Sequence, residues 1–251
     1  MKLSALLAGA ALGIAVLTSP LHSQTLSKDL PRFDRVTVSP LITLVLEPGD
    51  QERVRLEYSG VNPEKINYEV HGKTLRIYLE DARYAVREHK YWRDGREHRR
   101  PAYDRSVHVT AYVTYKQLRS IEKRGEENVT CKGPLAGNRC TVRLFGEIDA
   151  ELQSVTARRF KAALFGENSL RIASGSAARQ RYRSFGENTV DTRNVAGSVT
   201  STSTFGGSHL RLNASEEMRV TTFGESDVLF TGGGQLSKRL VFGETSVGKL
   251  D

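Results

Sequence analysis

The sequence predicts an all-β protein: a right-handed parallel β-helix, or solenoid, with coils of about 20 residues, preceded by a less regular β-strand region. Three observations predict it. Phe-Gly recurs at Phe145-Gly146, Phe165-Gly166, Phe185-Gly186, Phe205-Gly206, Phe223-Gly224 and Phe242-Gly243, at spacings of 20, 20, 20, 18 and 19 residues. Apolar residues alternate within each repeat, as in Leu170-Arg171-Ile172 and Leu210-Arg211-Leu212, which is strand period and not helix period. A unit this short cannot bury its own apolar face, so successive units must stack, each strand pairing with those above and below.

The elements follow in order. Lys2, the apolar run over 3–17, Pro20 and a small residue at Ser23 form an export signal, with cleavage expected after Ser23 and residues 1–23 removed. The apolar run is shorter than the roughly 20 residues of a spanning helix, and nothing later is long and apolar enough to cross a membrane. No cysteine follows the run, so no lipid anchor is expected. The mature chain divides into a β region at 24–119 and regular repeats at 120–251. Within the first, strands are expected at 35–38, 41–46, 54–58, 66–70, 74–79 and 107–115, with turns at Pro48-Gly49-Asp50 and His71-Gly72-Lys73 and a helical turn near 61–65.

Residues 81–105 break the strand pattern with eight basic residues against five acidic ones. Trp92 is the protein's one tryptophan and stands beside Tyr91; Asp94-Gly95 is a hairpin turn. The candidate ligand contacts here are Tyr91, Trp92, Arg93, Arg96, Arg99 and Arg100, because cations interleaved with aromatic rings grip anionic glycans or headgroups. The plainer reading is a solvated hairpin whose charges pair with one another. His89 and His98 do not have metal-ligand spacing, and no metal site or cofactor is expected.

Cys131 and Cys140 flank a segment rich in turn formers, which reads as a loop closed by a disulfide; two free buried thiols are the alternative. In the repeats, the phenylalanines are expected to stack and the glycines to hold positive φ. Glu147, Glu167, Glu187, Glu225 and Glu244 follow the glycine, with Gly207 the exception, and Arg124-Gly125-Glu126 is a degenerate earlier copy. Such a glutamate column must splay into solvent, pair with arginine or share a cation. The chain stops at Asp251, nine residues after Phe242, so the last coil is expected to expose pairing groups and favour end-to-end homo-oligomers.

The N-terminal motifs resemble a known family. Phe33-Asp34-Arg35-Val36-Thr37-Val38, then Glu47-Pro48-Gly49-Asp50, Val54-Arg55-Leu56, Gly72-Lys73-Thr74-Leu75-Arg76-Ile77, and a segment with Val107, Val109, Thr110 and Leu118 before Ile121 and Gly125, look like the putative auto-transporter adhesin head GIN domain family. The resemblance covers about 30–250. Lys116 stands where that family often has proline, and Phe-Gly-Glu replaces looser glycine motifs. The resemblance implies an exported bacterial β-helical protein of the envelope.

A net charge of +8 over 251 residues favours anionic partners, and export argues against nucleic acid as one of them. Two cysteines exclude a disulfide-dense miniprotein and iron–sulfur chemistry. A β-helical enzyme would need a local acid–base cluster that breaks the repeat, and the columns are regular. The expected function is therefore a non-enzymatic envelope or surface protein, in the periplasm or outside the cell, binding a glycan or other anionic envelope component. A polysaccharide-active enzyme and a self-assembling structural protein are the alternatives.

Overall fold

A computed structural model describes residues 24–104 and 106–250; the export segment expected at 1–23 lies outside them. The chain opens with β1 (Gln24–Asp29), β2 (Arg35–Val38), β3 (Ile42–Pro48), β4 (Arg53–Ser59), a 3-10 turn at Pro63–Lys65, β5 (Ile66–His71) and β6 (Thr74–Leu79). A separate two-stranded hairpin follows, β7 (Glu88–Arg93) and β8 (Arg96–Pro101). β9 (His108–Tyr115) and β10 (Ser120–Gly125) lead into three strands of 18 residues each: β11 (Val129–Gly146), β12 (Asp149–Gly166) and β13 (Ser169–Gly186). Shorter strands complete the chain: β14 (Asn188–Asp191), β15 (Val195–Ala196), β16 (Val199–Phe205), β17 (Ser208–Asn213), β18 (Glu217–Phe223), β19 (Ser226–Thr231), β20 (Gln235–Phe242) and β21 (Thr245–Lys249).

These strands build a β-solenoid with three walls. The first wall stacks β6, β2, β10, the C-terminal parts of β11, β12 and β13, then β16, β18 and β20, all parallel. The second stacks β9, β3, the N-terminal parts of β11, β12 and β13, then β14, β17, β19 and β21. The third is shorter and runs through 134–137, 154–157, 174–177 and β15. It does not continue past β15. That is the structural reason the repeat shortens from 20 residues to 18 and 19: the later coils turn from second wall to first through 214–216 or 232–234 alone.

The strands before residue 120 are rungs of the same stack, entered out of chain order. β2 lies between β6 and β10, and β3 lies between β9 and β11. The stack is closed at that end by antiparallel strands: β5 covers β6, and β4 followed by β1 covers β9. Antiparallel closure satisfies an edge that would otherwise offer unpaired backbone groups to another chain.

Strand alternation sends one residue in and the next out. Val142 and Leu144, Ala162 and Leu164, Leu170 and Ile172, and Leu210 and Leu212 line the interior. Further along the axis the interior becomes polar. Tyr182 donates to Gln180 Oε1 at 2.6 Å and accepts from Thr192 at 2.6 Å, and Gln180 donates to the Val195 carbonyl at 2.8 Å. These groups satisfy one another and the backbone, whereas the buried Thr202 Oγ1 of the next rung has no partner among the described residues.

The disulfide expected between Cys131 and Cys140 is absent: both are free, buried thiols. The residues between them are no hairpin loop. They are the middle of β11, which passes from the second wall, where Cys131 lies beside Leu46 and Leu152, through the third wall to the first, where Cys140 lies beside Phe160. Pro134 and Gly137 shape the bends of a coil, and extended chain carries the two sulfurs apart, whereas a disulfide needs Cα atoms within about 7 Å. Burial pushes both thiols up, Cys140 to about 11, which removes the thiolate that exchange chemistry requires.

Candidate binding surfaces

One corner of the solenoid, between first and second walls, carries the Phe-Gly-Glu repeat. The six phenylalanine rings stack face to face, with centroids 4.9, 4.9, 5.0, 5.1 and 5.3 Å apart and interplanar angles of 15° or less. Ring faces are consumed by the stack up to the outer face of the last ring, Phe242, so what solvent meets along the column is a ridge of ring edges; Phe165 and Phe205 are 36% and 40% exposed. The Arg124 guanidinium caps the stack 4.4 Å from the Phe145 ring and lies 5.5 Å from the ring of Tyr84. Each glycine of the column has φ between 93° and 131°, and a Cβ there would lie under 3.0 Å from the carbonyl oxygen of the glycine one rung earlier.

Behind the glycines runs a polar ladder at the position three after each phenylalanine from Phe165 onward; the same position after Phe145 is Ile148. Asn168 Oδ1 accepts from the Ile148 amide at 3.2 Å, and Asn188 Oδ1 accepts from both the amide and the side chain of Asn168, at 3.0 and 2.9 Å. Ser208, Ser226 and Thr245 continue it, donating to the carbonyls of Gly186, Gly206 and Gly224. This ladder was not singled out in the sequence, where Asn, Ser and Thr after a glycine read as ordinary turn residues; their recurrence at a fixed offset was the available signal.

The glutamates of the column are exposed, and Glu167, Glu187, Glu225 and Glu244 line an open groove of about 900 Å³ with His209, Asp227 and the neutral Gly207. No set of three metal-ligating side chains comes together among the described residues.

The basic insert stands on the same corner, in the rung formed by β6 and β9. Its base is tied by hydrogen bonds from the Arg87 amide to the Asp81 carbonyl and from the Ala102 amide to the Arg87 carbonyl, both 2.8 Å, and by Tyr103 donating to the Glu80 carbonyl. The turn has positive φ at both Asp94 and Gly95, the pattern of a tight hairpin. Pairing sets Arg93 opposite Arg96, Tyr91 opposite His98 and Trp92 opposite Glu97. Alternation therefore divides the six candidate contacts. Tyr91, Arg93, Arg96 and Arg100 share one face with His89 and His98, and the Tyr91 and His98 rings stack at 5.4 Å. Trp92 and Arg99 lie on the other with Glu88, Lys90 and Glu97. That second face is internally neutralised: Lys90 meets Glu97 at 3.1 Å, and Arg99 meets Glu97 and Glu88 at 3.4 and 3.6 Å. Trp92 is 74% exposed.

A third feature was missed in the sequence. On the first wall, the outward residues two, four and six before each phenylalanine line up between rungs: Arg139, Arg159 and Arg179 form one column, Lys161 and Arg181 a second, with Arg143 and Arg183 at the third position. Only Arg143 reaches a carboxylate, Glu122 at 3.5 Å; the other six make no ion pair among the described residues. Like charges one rung apart, about 5 Å, repel by nearly 1 kcal/mol even in bulk water. Lys161 registers the crowding: partial desolvation and the four arginines around it hold its pKa below the usual lysine value. The signal was an alternating Arg/Lys pattern ahead of three successive Phe-Gly pairs.

The sequence matches the family described as putative auto-transporter adhesin, head GIN domain, over residues 32–234. No curated protein matches the chain. Solved structures share the fold at low identity. A putative adhesin from Parabacteroides distasonis is 14% identical with a TM-score of 0.68, covering 92% of this chain and 98% of its own. A putative adhesin from Bacteroides fragilis is 14% identical with a TM-score of 0.67, covering 91% and 97%. A protein described as a putative lipid binding protein from Parabacteroides distasonis is 12% identical with a TM-score of 0.63, covering 91% and 96%.

Proposed function

This chain belongs to the family of the putative auto-transporter adhesin, head GIN domain, and from that membership we propose that it is an exported, non-enzymatic binding protein of the cell envelope or cell surface. The leader-like composition of residues 1–23 supports export, and no helix among the described residues is long and apolar enough to cross a membrane. The ligand is a glycan or another anionic component of an envelope.

The observation that carries this reading is the hairpin face bearing His89, Tyr91, Arg93, Arg96, His98 and Arg100, which presents cations and rings with no carboxylate among its paired positions. An isolated two-stranded hairpin is marginal in water, so one that projects with Arg96 and Arg100 free of any ion pair among the described residues, and with Arg93 held only by Asp94 of its own turn, is better explained as a contact element than as a stabilising one. The corner glutamates do not favour catalysis. They repeat in one environment, whereas acid–base chemistry needs two carboxylates held in different ones.

The test compares the two hairpin faces. Tyr91→Ala with Arg96→Ala is expected to weaken attachment of the purified protein to bacterial or host cell surfaces about tenfold, with the melting temperature unchanged. Trp92→Ala with Arg99→Ala is expected to do much less. Equal attachment by both variants and the parent would remove the hairpin from the function.

A further inference from the structure

The arginine and lysine columns of the first wall end abruptly. The rung after β13 is β16, which turns Val199, Ser201 and Ser203 outward where the three preceding rungs carry Arg or Lys at most of the same positions. The rung after that restores long side chains, with Arg219 bonded to Glu217 through Nε at 2.7 Å and through Nη2. Short residues between two rungs of long ones leave a trough running along β16, across the solenoid axis. Its volume is about 430 Å³; Val199 and Ser201 form the floor, Arg159, Lys161, Arg179 and Arg181 the near bank, and Arg219 the far bank. Two rung spacings separate the banks, roughly 10 Å.

We propose that this trough is a second binding site, separate from the hairpin, and that its ligand is a linear anionic polysaccharide whose chain lies along β16 with carboxylate or sulfate groups on Arg179, Arg181 and Lys161. The inference rests on the reading of the chain as a binding protein but not on the hairpin as its contact. Three properties select the ligand. Uncompensated guanidinium groups at alternate positions match planar anionic groups in pairs. The floor offers a hydroxyl: Ser201 donates to the Gln180 carbonyl at 3.3 Å, which leaves its lone pairs free to accept from a sugar. The width admits one extended chain, while a flat bilayer would rest on the banks and leave the floor unoccupied. The phenylalanine ridge contributes no stacking platform, because its ring faces are already covered.

The experiment titrates the mature protein with heparin, polygalacturonate, neutral dextran and phosphatidylglycerol vesicles at several salt concentrations. Heparin and polygalacturonate are expected to bind, with log affinity falling linearly against log salt, and dextran is expected not to. Arg179→Ser with Arg181→Ser is expected to lower polysaccharide affinity about tenfold or more. Ser201→Trp fills the trough, leaves every charge in place and points into solvent, so it is expected to lower affinity by a similar factor without changing the melting temperature. Tyr91→Ala with Arg96→Ala is expected to lower polysaccharide affinity much less than Arg179→Ser with Arg181→Ser. Parental affinity in the Ser201→Trp protein would overturn the trough in favour of a diffuse field. Binding to vesicles but not to polysaccharide would overturn the ligand, and loss of polysaccharide binding through the hairpin variant alone would overturn the separate site.

Discussion

Seven glycines at one corner, from Gly125 to Gly243, meet the same steric demand, and only a residue without Cβ meets it. Each holds positive φ; a methyl group on Gly125 would strike Pro40, and on each of the other six it would strike the carbonyl oxygen of the glycine one rung earlier. Gly166→Ala therefore combines an unfavourable backbone region with a backbone clash inside a rigid stack. It is expected to lower stability by about 1–3 kcal/mol or more, read as a shift of the urea midpoint. This demand is why the repeat was legible: a position that tolerates one residue leaves that residue in every copy. The cysteines show the opposite case. Cys131 and Cys140 are packing residues of two different walls, and Pro134 and Gly137 between them bend a coil. Turn formers between two cysteines look the same in sequence whether the chain doubles back or continues around a corner.

Among the elements, the long strands β11, β12 and β13 join three walls without a break, and the ladders along their corner hold them in register. The buried asparagine pair is the most demanding of these. Asn188 accepts from the Asn168 amide and side chain and donates to the Phe185 carbonyl, 3.2 Å away. Asn188→Ala would leave the Asn168 amide buried and unpaired, at a cost of about 1–3 kcal/mol. Asn188→Ser, which keeps an acceptor of the kind found at Ser208, is expected to recover part of that loss in the same denaturation measurement. The hairpin was legible as an element because Asp94-Gly95 and the flanking charges are strong local signals. Its division into two faces was not, since that depends on the pairing register that sets Arg93 opposite Arg96. Once the register is known, Arg99 belongs with Glu88 and Glu97, and Arg96 and Arg100 belong with the aromatic stack.

In the whole molecule, the stacking of rungs converts a one-dimensional repeat into two-dimensional surfaces. Residues 20 apart in sequence become neighbours, so a modest preference at one repeat position becomes a ridge of rings, a row of carboxylates or a grid of cations. The strands before residue 120, β1 excepted, could be recognised singly, but not their place in the stack. β2 and β3 insert between strands that come later in the chain, and no local pattern records such a crossing. The binding surfaces all depend on this alignment: the cation grid, the trough beside it and the ridge exist only if corresponding residues line up along the axis.

Distances between spin labels placed on the exposed glutamate column test that alignment directly. With one label at Glu147 and the second at Glu225 or Glu244, four and five rungs away, the rung spacing predicts backbone separations of about 19 Å and about 24 Å, each in a narrow distribution. Separations that fail to increase with rung number, or broad distributions at both pairs, would contradict the stacked solenoid and every surface built on it.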